Sequence, residues 1–208
     1  MSVMTTPEAV TIRPGTPASS LWPGSPVPGA RSGPGAPLPG PLAEAGETVT
    51  AEAFRAVMAA VCTPVAVVTT MTEERPHGTT VSAFTSLSLN PPMVVISLDE
   101  SSELLRQLRQ SRRFGLNVLS SAQSWIARRF ATKGDDKFQG VPWRMDGGQP
   151  RITGSAGWIV AEVENLVTGG DHTLLLGRVA AADHVLAEPL TYHRRVFGTH
   201  VAISEVRA

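Results

Sequence analysis

Residues 78–92, GTTVSAFTSLSLNPP, combine small hydroxyl side chains, one aromatic ring and a two-proline stop. A buried strand is normally dense in Val, Ile and Leu, but Thr and Ser occupy both alternating faces of this stretch. Small side chains allow a flat ligand to approach the backbone, whose N–H and C=O groups can bond the polar edge of that ligand. The stretch is therefore either a ligand-binding strand or an edge strand rich in Thr and Ser.

The charge and hydropathy of the 208-residue chain limit its possible partners. Eighteen basic residues balance eighteen acidic ones, which argues against a nucleic-acid partner. No apolar run reaches the roughly 18 residues of a membrane span, and the amino terminus lacks a basic region followed by an apolar one. A hydrophobic content of 42% can form one domain with a substantial core. We therefore expect a cytoplasmic protein that acts on small molecules.

The first 46 residues differ in composition from the rest of the chain. They hold ten of the seventeen prolines and seven of the nineteen glycines. Such a segment cannot bury enough apolar surface to offset chain entropy. We predict a disordered Pro/Gly-rich leader over residues 1–46 and a folded domain over residues 47–208.

A helix opens the predicted domain. Thr50 is a suitable N-cap, and Phe54, Val57, Met58 and Val61 have the i, i+3, i+4, i+7 spacing of a buried helix face. Cys62, the only cysteine, excludes an internal disulfide and favours a reduced compartment. We expect Cys62 to be a small buried hydrophobe of this helix, which Pro64 ends.

The remaining pattern predicts a mainly β domain with a few short helices. Two further helices are expected, one capped by Ser101 or Ser102 and one starting at Ser121. About six strands favour an antiparallel barrel over a doubly wound sheet. No G-x-G-x-x-G follows a strand, so a Rossmann nucleotide site is not supported. The predicted strands cover residues 65–71, 78–90, 93–98, 114–119, 158–164 and 174–179.

Six motifs in a fixed order resemble the flavin reductase-like family, the short-chain NAD(P)H:flavin oxidoreductases that serve two-component monooxygenases. The resemblance covers roughly residues 50 to 200. One motif alone would be weak, but the ordered set is specific. The motifs are 78–98, 114–119 (FGLNVL), Phe130-Ala131, Lys137-Phe138, 170–173 (GDHT) and 189–192 (PLTY).

The resemblance implies the split β-barrel FMN-binding fold, an antiparallel or Greek-key barrel, as a homodimer with each flavin near the interface. The exposed N–H groups at the start of the helix after Ser101 and Ser102 would suit the flavin phosphate. The buried amide of Asn117 needs partners that a ligand or neighbouring backbone could supply. The resemblance assigns flavin contacts to Thr80, Val81, Ser82, Ala83, Phe84, Ser86, Leu87, Ser101, Ser102 and Asn117.

The same resemblance assigns the catalytic position to His172, in the motif 170–173. Hydride transfer needs a nicotinamide stacked on the flavin with water excluded, and it needs no protein acid or base at that moment. His172 would therefore position the nicotinamide, with Arg195 and Phe197 beside it. Phe197 stands where the family often has Tyr, so the ring is kept and the hydroxyl is lost. Histidines in metal-ligand spacing are not found, and we expect no metal.

Three functions remain open. The first is an enzyme that reduces FMN or FAD with NADH or NADPH and supplies reduced flavin to a partner monooxygenase. The second is an FMN-binding electron-relay or sensor module without nucleotide turnover. The third, a related split-barrel enzyme that oxidises a pyridoxamine phosphate, would need more Arg and Lys directed at one small phosphate than the sequence assigns.

Overall fold

The computed structural model describes residues 49–72, 75–134 and 136–202. The predicted leader, residues 1–46, lies outside these residues and stays a prediction. The helices of the described part are α1 (Ala51–Ala59), α2 (Glu103–Ser111) and α3 (Ser124–Ala131), with a 3₁₀ turn (Ser121–Gln123) before α3. None of these helices is long and apolar enough to cross a membrane.

The described residues contain twelve strands rather than the six expected, because short strand pairs were missed and the polar stretch forms two strands. They form sheets of three, seven and two strands. The strands are β1 (Thr63–Pro64), β2 (Ala66–Met71), β3 (Pro76–Val81), β4 (Phe84–Leu89), β5 (Pro92–Asp99), β6 (Arg113–Val118), β7 (Trp143–Asp146), β8 (Gln149–Ile152), β9 (Gly157–Gly169), β10 (His172–His184), β11 (Thr191–His193) and β12 (Val196–Gly198).

The seven-stranded sheet must curl strongly. Its order is β3-β2-β6-β9-β10-β5-β4, so β3 and β4 are its two edges. If the sheet lay flat, its two edge strands would be six inter-strand spacings apart, or about 29 Å. Only Ser82 and Ala83 join the two strands, and three peptide steps span at most about 11 Å. The sheet therefore bends until its edges approach each other, as in a split barrel.

Two apolar clusters hold the curled sheet. The first cluster lies between the sheet and α2, and α2 contributes Leu104, Leu105 and Leu108 to it. The second lies against α3, which contributes Ile126 and Phe130. Strand β2 lies between the two clusters and is buried, as its β-branched sequence predicts. The sheet is thus covered by a helix over each cluster.

The predicted hairpins are present. β2 pairs with β3 in antiparallel register around a turn in which Thr72 N donates to Arg75 O. β9 pairs with β10 across Gly170, whose φ of 66° requires the left-handed region that glycine tolerates. His77, expected in the first turn, lies within β3 instead. Both hairpins follow from local turn chemistry, which explains why the sequence predicts them.

Helix α1 differs from its prediction. Thr50 does cap it, since the Thr50 hydroxyl accepts from Ala53 N at 3.1 Å. Its apolar face is not buried: Phe54 is 59% exposed and Val57 is 68% exposed. Cys62 is also exposed and follows the helix, which ends at Ala59 before Pro64. Periodicity identifies residues that share a face, but it does not specify what covers that face.

Of the two kinds of partner expected for the Asn117 amide, a ligand or neighbouring backbone, the structure shows partners within the protein. The residue is completely buried. Its Nδ2 donates to Val67 O at 3.2 Å and Thr69 Oγ1 at 3.3 Å, and its Oδ1 accepts from Ile152 N at 2.7 Å. These bonds join β2 and β6 of the large sheet to β8 of the two-stranded sheet. Neighbouring backbone, and not a flavin, therefore supplies the partners of this amide.

We predict that Asn117→Ala lowers the free energy of unfolding by about 2 to 4 kcal/mol, because the Ile152 N–H then stays buried without an acceptor. Asn165→Ala is the control, since the exposed Asn165 side chain accepts only from the adjacent Leu166 N. It should change stability by less than about 0.5 kcal/mol. Urea unfolding measures both, and equal effects would contradict the structural role of Asn117.

Candidate functional site

Three strand ends meet at one end of the curled sheet. Ser97 N donates to Ala83 O at 2.9 Å, which places the end of β5 beside the start of β4. His172 is paired with Asp99, which brings in the start of β10. We call residues 82–84, 97–102 and 171–173 the strand-end site. Ser82 and Ala83 are exposed there, so their small side chains leave backbone accessible to a flat ligand.

His172 is positioned by its neighbour. Its Nδ1 lies 2.7 Å from Asp171 Oδ1, and its side chain is 44% exposed. This contact orients the imidazole and leaves Nε2 as the ring nitrogen for a ligand. The nicotinamide contact of His172 stays a prediction. The pairing of β4 with β5 and of β5 with β10 brings His172 and Ser82 to the same end of the sheet, although they are far apart in the sequence.

The hydroxyls of β3 contact a helix. Thr80 Oγ1 donates to Ala127 O at 2.8 Å, and Thr79 Oγ1 approaches Phe130 O at 3.5 Å. These bonds dock α3 on the edge strand β3. Thr80 was expected to contact the flavin. Its hydroxyl proton, however, is already donated to Ala127 O. Its free lone pair and backbone are the groups that can face a ligand.

The start of α2 is surrounded by carboxylates. Ser101 N and Oγ donate to Asp99 Oδ1 at 2.7 and 2.6 Å, which lowers the pKa of Asp99. Hydrogen bonds from Arg106 and Gln107 lower the pKa of Glu103 to about 2. Thr173, then Arg109, lower the pKa of Glu100 in the same way. All three groups are ionised at neutral pH, and the charges of Glu103 and Glu100 are compensated by paired arginines.

The expected helix cap is partly confirmed. Ser102 occupies the N-cap position of α2, but its side chain makes no capping hydrogen bond. The Ser101 hydroxyl is held by Asp99. The arginines that follow are also engaged, because Arg106 pairs with Glu103 and Arg109 pairs with Glu100. Arg106 and Arg109 thus lie on a solvent-exposed helix face.

A second group of cations was missed from the sequence. A cleft of about 450 Å³ lies at the end of α3, and we call it the basic cleft. Lys137 Nζ donates there to Gly78 O at 3.2 Å and Phe130 O at 3.1 Å, and burial lowers its pKa. The density of Arg and Lys in residues 128–137 was the available signal. The described lining is Arg128, Arg129, Thr132, Lys133, Gly134, Asp136 and Lys137.

The other predicted flavin residues are distributed along β3 and β4. Val81 is buried, and Phe84 packs against the first apolar cluster. Ser86 is paired with Val94, and Leu87 is 47% exposed at a bulge between Ser86 and Ser88. Ser86 and Leu87 therefore lie farther along β4, outside the strand-end site, whereas Phe84 belongs to the site.

The predicted nicotinamide residues other than His172 are in the three-stranded sheet. Arg195 lies in the β11–β12 turn with a φ of 66°. The ring of Phe197 lies 5.1 Å from that of Tyr192, and Arg128 lies over the Phe197 ring at 5.3 Å. Phe197 thus borders the basic cleft through Arg128, and no described contact joins it to His172 within one chain.

Comparison with known proteins identifies the family. Residues 58–200 match the family model of the flavin reductase like domain. The chain belongs to this family. It is 36% identical over 145 residues to the reductase subunit HsaB of a flavin-dependent monooxygenase from Mycobacterium tuberculosis, a match that covers 68% of this chain and 78% of that protein. It is 39% identical over 128 residues to a flavin reductase from Pseudomonas putida, covering 61% and 75% of the two chains.

Solved structures agree with this assignment. The NADH:FAD oxidoreductase SgcE6 of Streptomyces globisporus superposes with a TM-score of 0.70 at 32% identity, over 78% of this chain and 100% of that chain. Nitrilotriacetate monooxygenase component B of Mycobacterium thermoresistibile gives 0.69 at 30% identity, over 76% and 94%. The expected family, the mainly β split-barrel fold and the flavin reductase activity with flavin and a nicotinamide nucleotide are confirmed.

We predict that Ser101→Ala raises the pKa of Asp99 towards its ordinary value of 3.8, because the hydroxyl bond to Oδ1 stabilises the ionised carboxylate. The variant keeps the Ser101 N–H bond, so the shift should be partial. Carboxyl ¹³C NMR titration measures it, with Asp183, which Arg151 bonds, as an internal control that should not move. An unchanged Asp99 pKa would contradict the assigned cause.

Proposed function

We propose that this chain uses the strand-end site to transfer a hydride from NADH or NADPH to FMN or FAD, and that it releases reduced flavin to a separate flavin-dependent monooxygenase. The observation that supports this site is that the end of β5 holds Ala83 on one side, through Ser97, and His172 on the other, through Asp99, in a chain of the flavin reductase like domain family. The family's relatives include reductase components of two-component monooxygenases.

The residues of the strand-end site fit a flavin. Exposed small residues at Ser82 and Ala83 let the backbone approach a ring edge, and the half-buried Phe84 offers an apolar wall. Thr80 and Val81 fix the preceding strand, while Ser86 and Leu87 give outer contacts along β4. The bound flavin supplies the hydride-accepting ring. At the start of α2, the Ser102 hydroxyl makes no capping hydrogen bond and would be available to the flavin side chain. The Ser101 hydroxyl instead donates to Asp99.

His172 would hold the nicotinamide nucleotide. Asp171 orients the ring through Nδ1, so that Nε2 can bond a polar group of the nucleotide. Orientation of donor and acceptor is the main requirement of a hydride step, since no proton moves between protein and substrate in it. Arg195 and Phe197 stay predicted nicotinamide contacts, since no described contact joins the β11–β12 hairpin to His172 within one chain.

The outer face of the sheet supports a homodimer. Thr173 and Leu175 of β10 are buried inward, which turns Leu174 and Leu176 outward. The register sets Leu174 between Ser97 and Val167, and Leu176 opposite Val95. A one-sided antiparallel sheet normally presents polar residues to water. This apolar outer face would therefore be covered by a second copy of the chain.

We also propose a cytoplasmic location. The single cysteine of the sequence is exposed, and a reduced compartment keeps such a thiol from intermolecular oxidation. Cytoplasmic NADH and NADPH would then be directly accessible. Labelling intact cells with a thiol reagent that does not cross membranes tests this, and modification of Cys62 in unbroken cells would contradict it.

We expect anaerobic protein to bleach the absorbance of excess free flavin when NADH or NADPH is added. His172→Ala should lower kcat/KM for the nicotinamide nucleotide about 10- to 100-fold, because positioning is lost, while flavin affinity stays unchanged. His184→Ala, at the exposed far end of β10, is the control. Bound flavin that neither nucleotide reduces would refute the reductase and favour the electron-relay or sensor module.

We predict that the purified chain has twice the 22.0 kDa mass of one copy in light scattering, and that Leu174→Glu shifts it to the monomer. A carboxylate in an apolar interface is desolvated without a partner, which disfavours association. Leu186→Glu is the control, since Leu186 is fully exposed in a loop. A wild-type monomer, or a Leu174→Glu dimer, would contradict the proposed interface.

A further inference from the structure

Glu100 joins the segment before α2 to the strand that carries His172. Its backbone N–H donates to Asp171 O at 3.0 Å, and its carboxylate accepts a hydrogen bond from the Thr173 hydroxyl. Asp171 and Thr173 are the two chain neighbours of His172. A single residue outside the β9–β10 hairpin therefore holds that hairpin on both sides of the histidine.

The end of the β9–β10 hairpin is otherwise open to water. Residues 167–171 are exposed, and no described atom lies within 4 Å of a Cβ built on Gly170. The bond between His172 Nδ1 and Asp171 is exposed as well, since the two side chains are 44% and 91% accessible. Water competes for both partners of such a pair, so the pair alone contributes little rigidity. The imidazole is held in one place only if its backbone is fixed by another contact.

The Thr173 hydroxyl requires an acceptor within the protein. Thr173 is only 2% exposed, and a buried hydroxyl that lacks a partner is unfavourable. The Glu100 carboxylate is the acceptor that the structure shows for it. This bond, followed by the bond from Arg109, lowers the pKa of Glu100. Glu100 is therefore ionised at neutral pH, and an ionised acceptor makes the stronger hydrogen bond.

Arg109 fixes the other oxygen of the same carboxylate. Its Nη2 donates to Glu100 Oε2 at 2.7 Å, whereas the Thr173 hydroxyl donates to Oε1. Arg109 belongs to α2, whose leucines are buried in the first apolar cluster. The contacts thus run from the core through α2, Arg109 and Glu100 to the residue beside His172.

We propose that Glu100 is a positioning residue for His172 and that it acts on the nicotinamide nucleotide only through Asp171 and Thr173. This role rests on the proposed function, since it concerns a nucleotide bound by His172. Both carboxylate oxygens of Glu100 are bonded within the protein, so its effect on the nucleotide is indirect. Glu100 keeps the imidazole in the orientation in which Nε2 meets the nucleotide.

The test compares Glu100→Ala with Thr173→Val in the full chain. Thr173→Val removes the donor of the same bond and leaves no buried hydroxyl without a partner. Glu103→Ala is the matched control: Glu103 is also a carboxylate near the start of α2 and pairs with an arginine of that helix, Arg106. No described contact joins Glu103 to the β9–β10 hairpin. Steady-state kinetics at saturating flavin give kcat/KM for NADH and NADPH.

Glu100→Ala and Thr173→Val should each lower kcat/KM for the nucleotide about five- to tenfold, the fold-change of one lost hydrogen bond. Glu103→Ala should change it by less than about twofold. In a His172→Ala background, the first two substitutions should also change kcat/KM by less than about twofold, because the residue that they position is absent. Losses that persist undiminished in that background, or that do not exceed the loss in Glu103→Ala, would overturn the proposal.

NMR of the His172 ring separates this proposal from the proposed function. Long-range ¹H–¹⁵N spectra of the unliganded chain report the hydrogen bonding of Nδ1 and require neither flavin nor turnover. Glu100→Ala and Thr173→Val should shift the His172 Nδ1 resonance, because Asp171 no longer holds the ring in one geometry, and Glu103→Ala should not. This result supports the positioning role even in a preparation that reduces no flavin. A His172 resonance that neither variant shifts would refute the role even in an active reductase.

Discussion

The two-residue connection between β3 and β4 is the constraint on which the rest of the structure depends. It joins the two outermost strands of a seven-stranded sheet, so the sheet cannot lie flat. The antiparallel pairing of β4 with β5 places the start of β4 against the end of β5, where Ser97 bonds Ala83. β10 pairs with β5 and carries His172 to the same place. The site is thus a consequence of chain connectivity before any ligand is considered.

The charges around the start of α2 are mostly paired. Glu103 is paired with Arg106, and Glu100 is paired with Arg109, while hydrogen bonds from Ser101 lower the pKa of Asp99. The cations at the end of α3 line a separate cleft. The net charge of the chain is zero, so any separation of charge on its surface is local.

The sequence predicted features that depend on neighbours in the chain. Thr50 caps α1, and the turn at Gly170 forms a hairpin, because caps and turns need only a few adjacent residues. His172 was found through its motif. The role of Asn117 was not predictable, since its partners lie on β2 and β8, 33 to 50 residues away. The basic cleft was missed for a similar reason: Arg128 and Lys133 become neighbours only when α3 ends and the chain turns.

The shortness of the Ser82–Ala83 connection also restricts how chains of this architecture can change. An added residue there would lengthen the short connection that holds the two edge strands of the sheet close together. The loop between β2 and β3 has no comparable restriction, since it lies outside this closure. Insertions that adapt such a chain to different oxygenases should therefore accumulate in peripheral turns, while the length of this connection stays fixed.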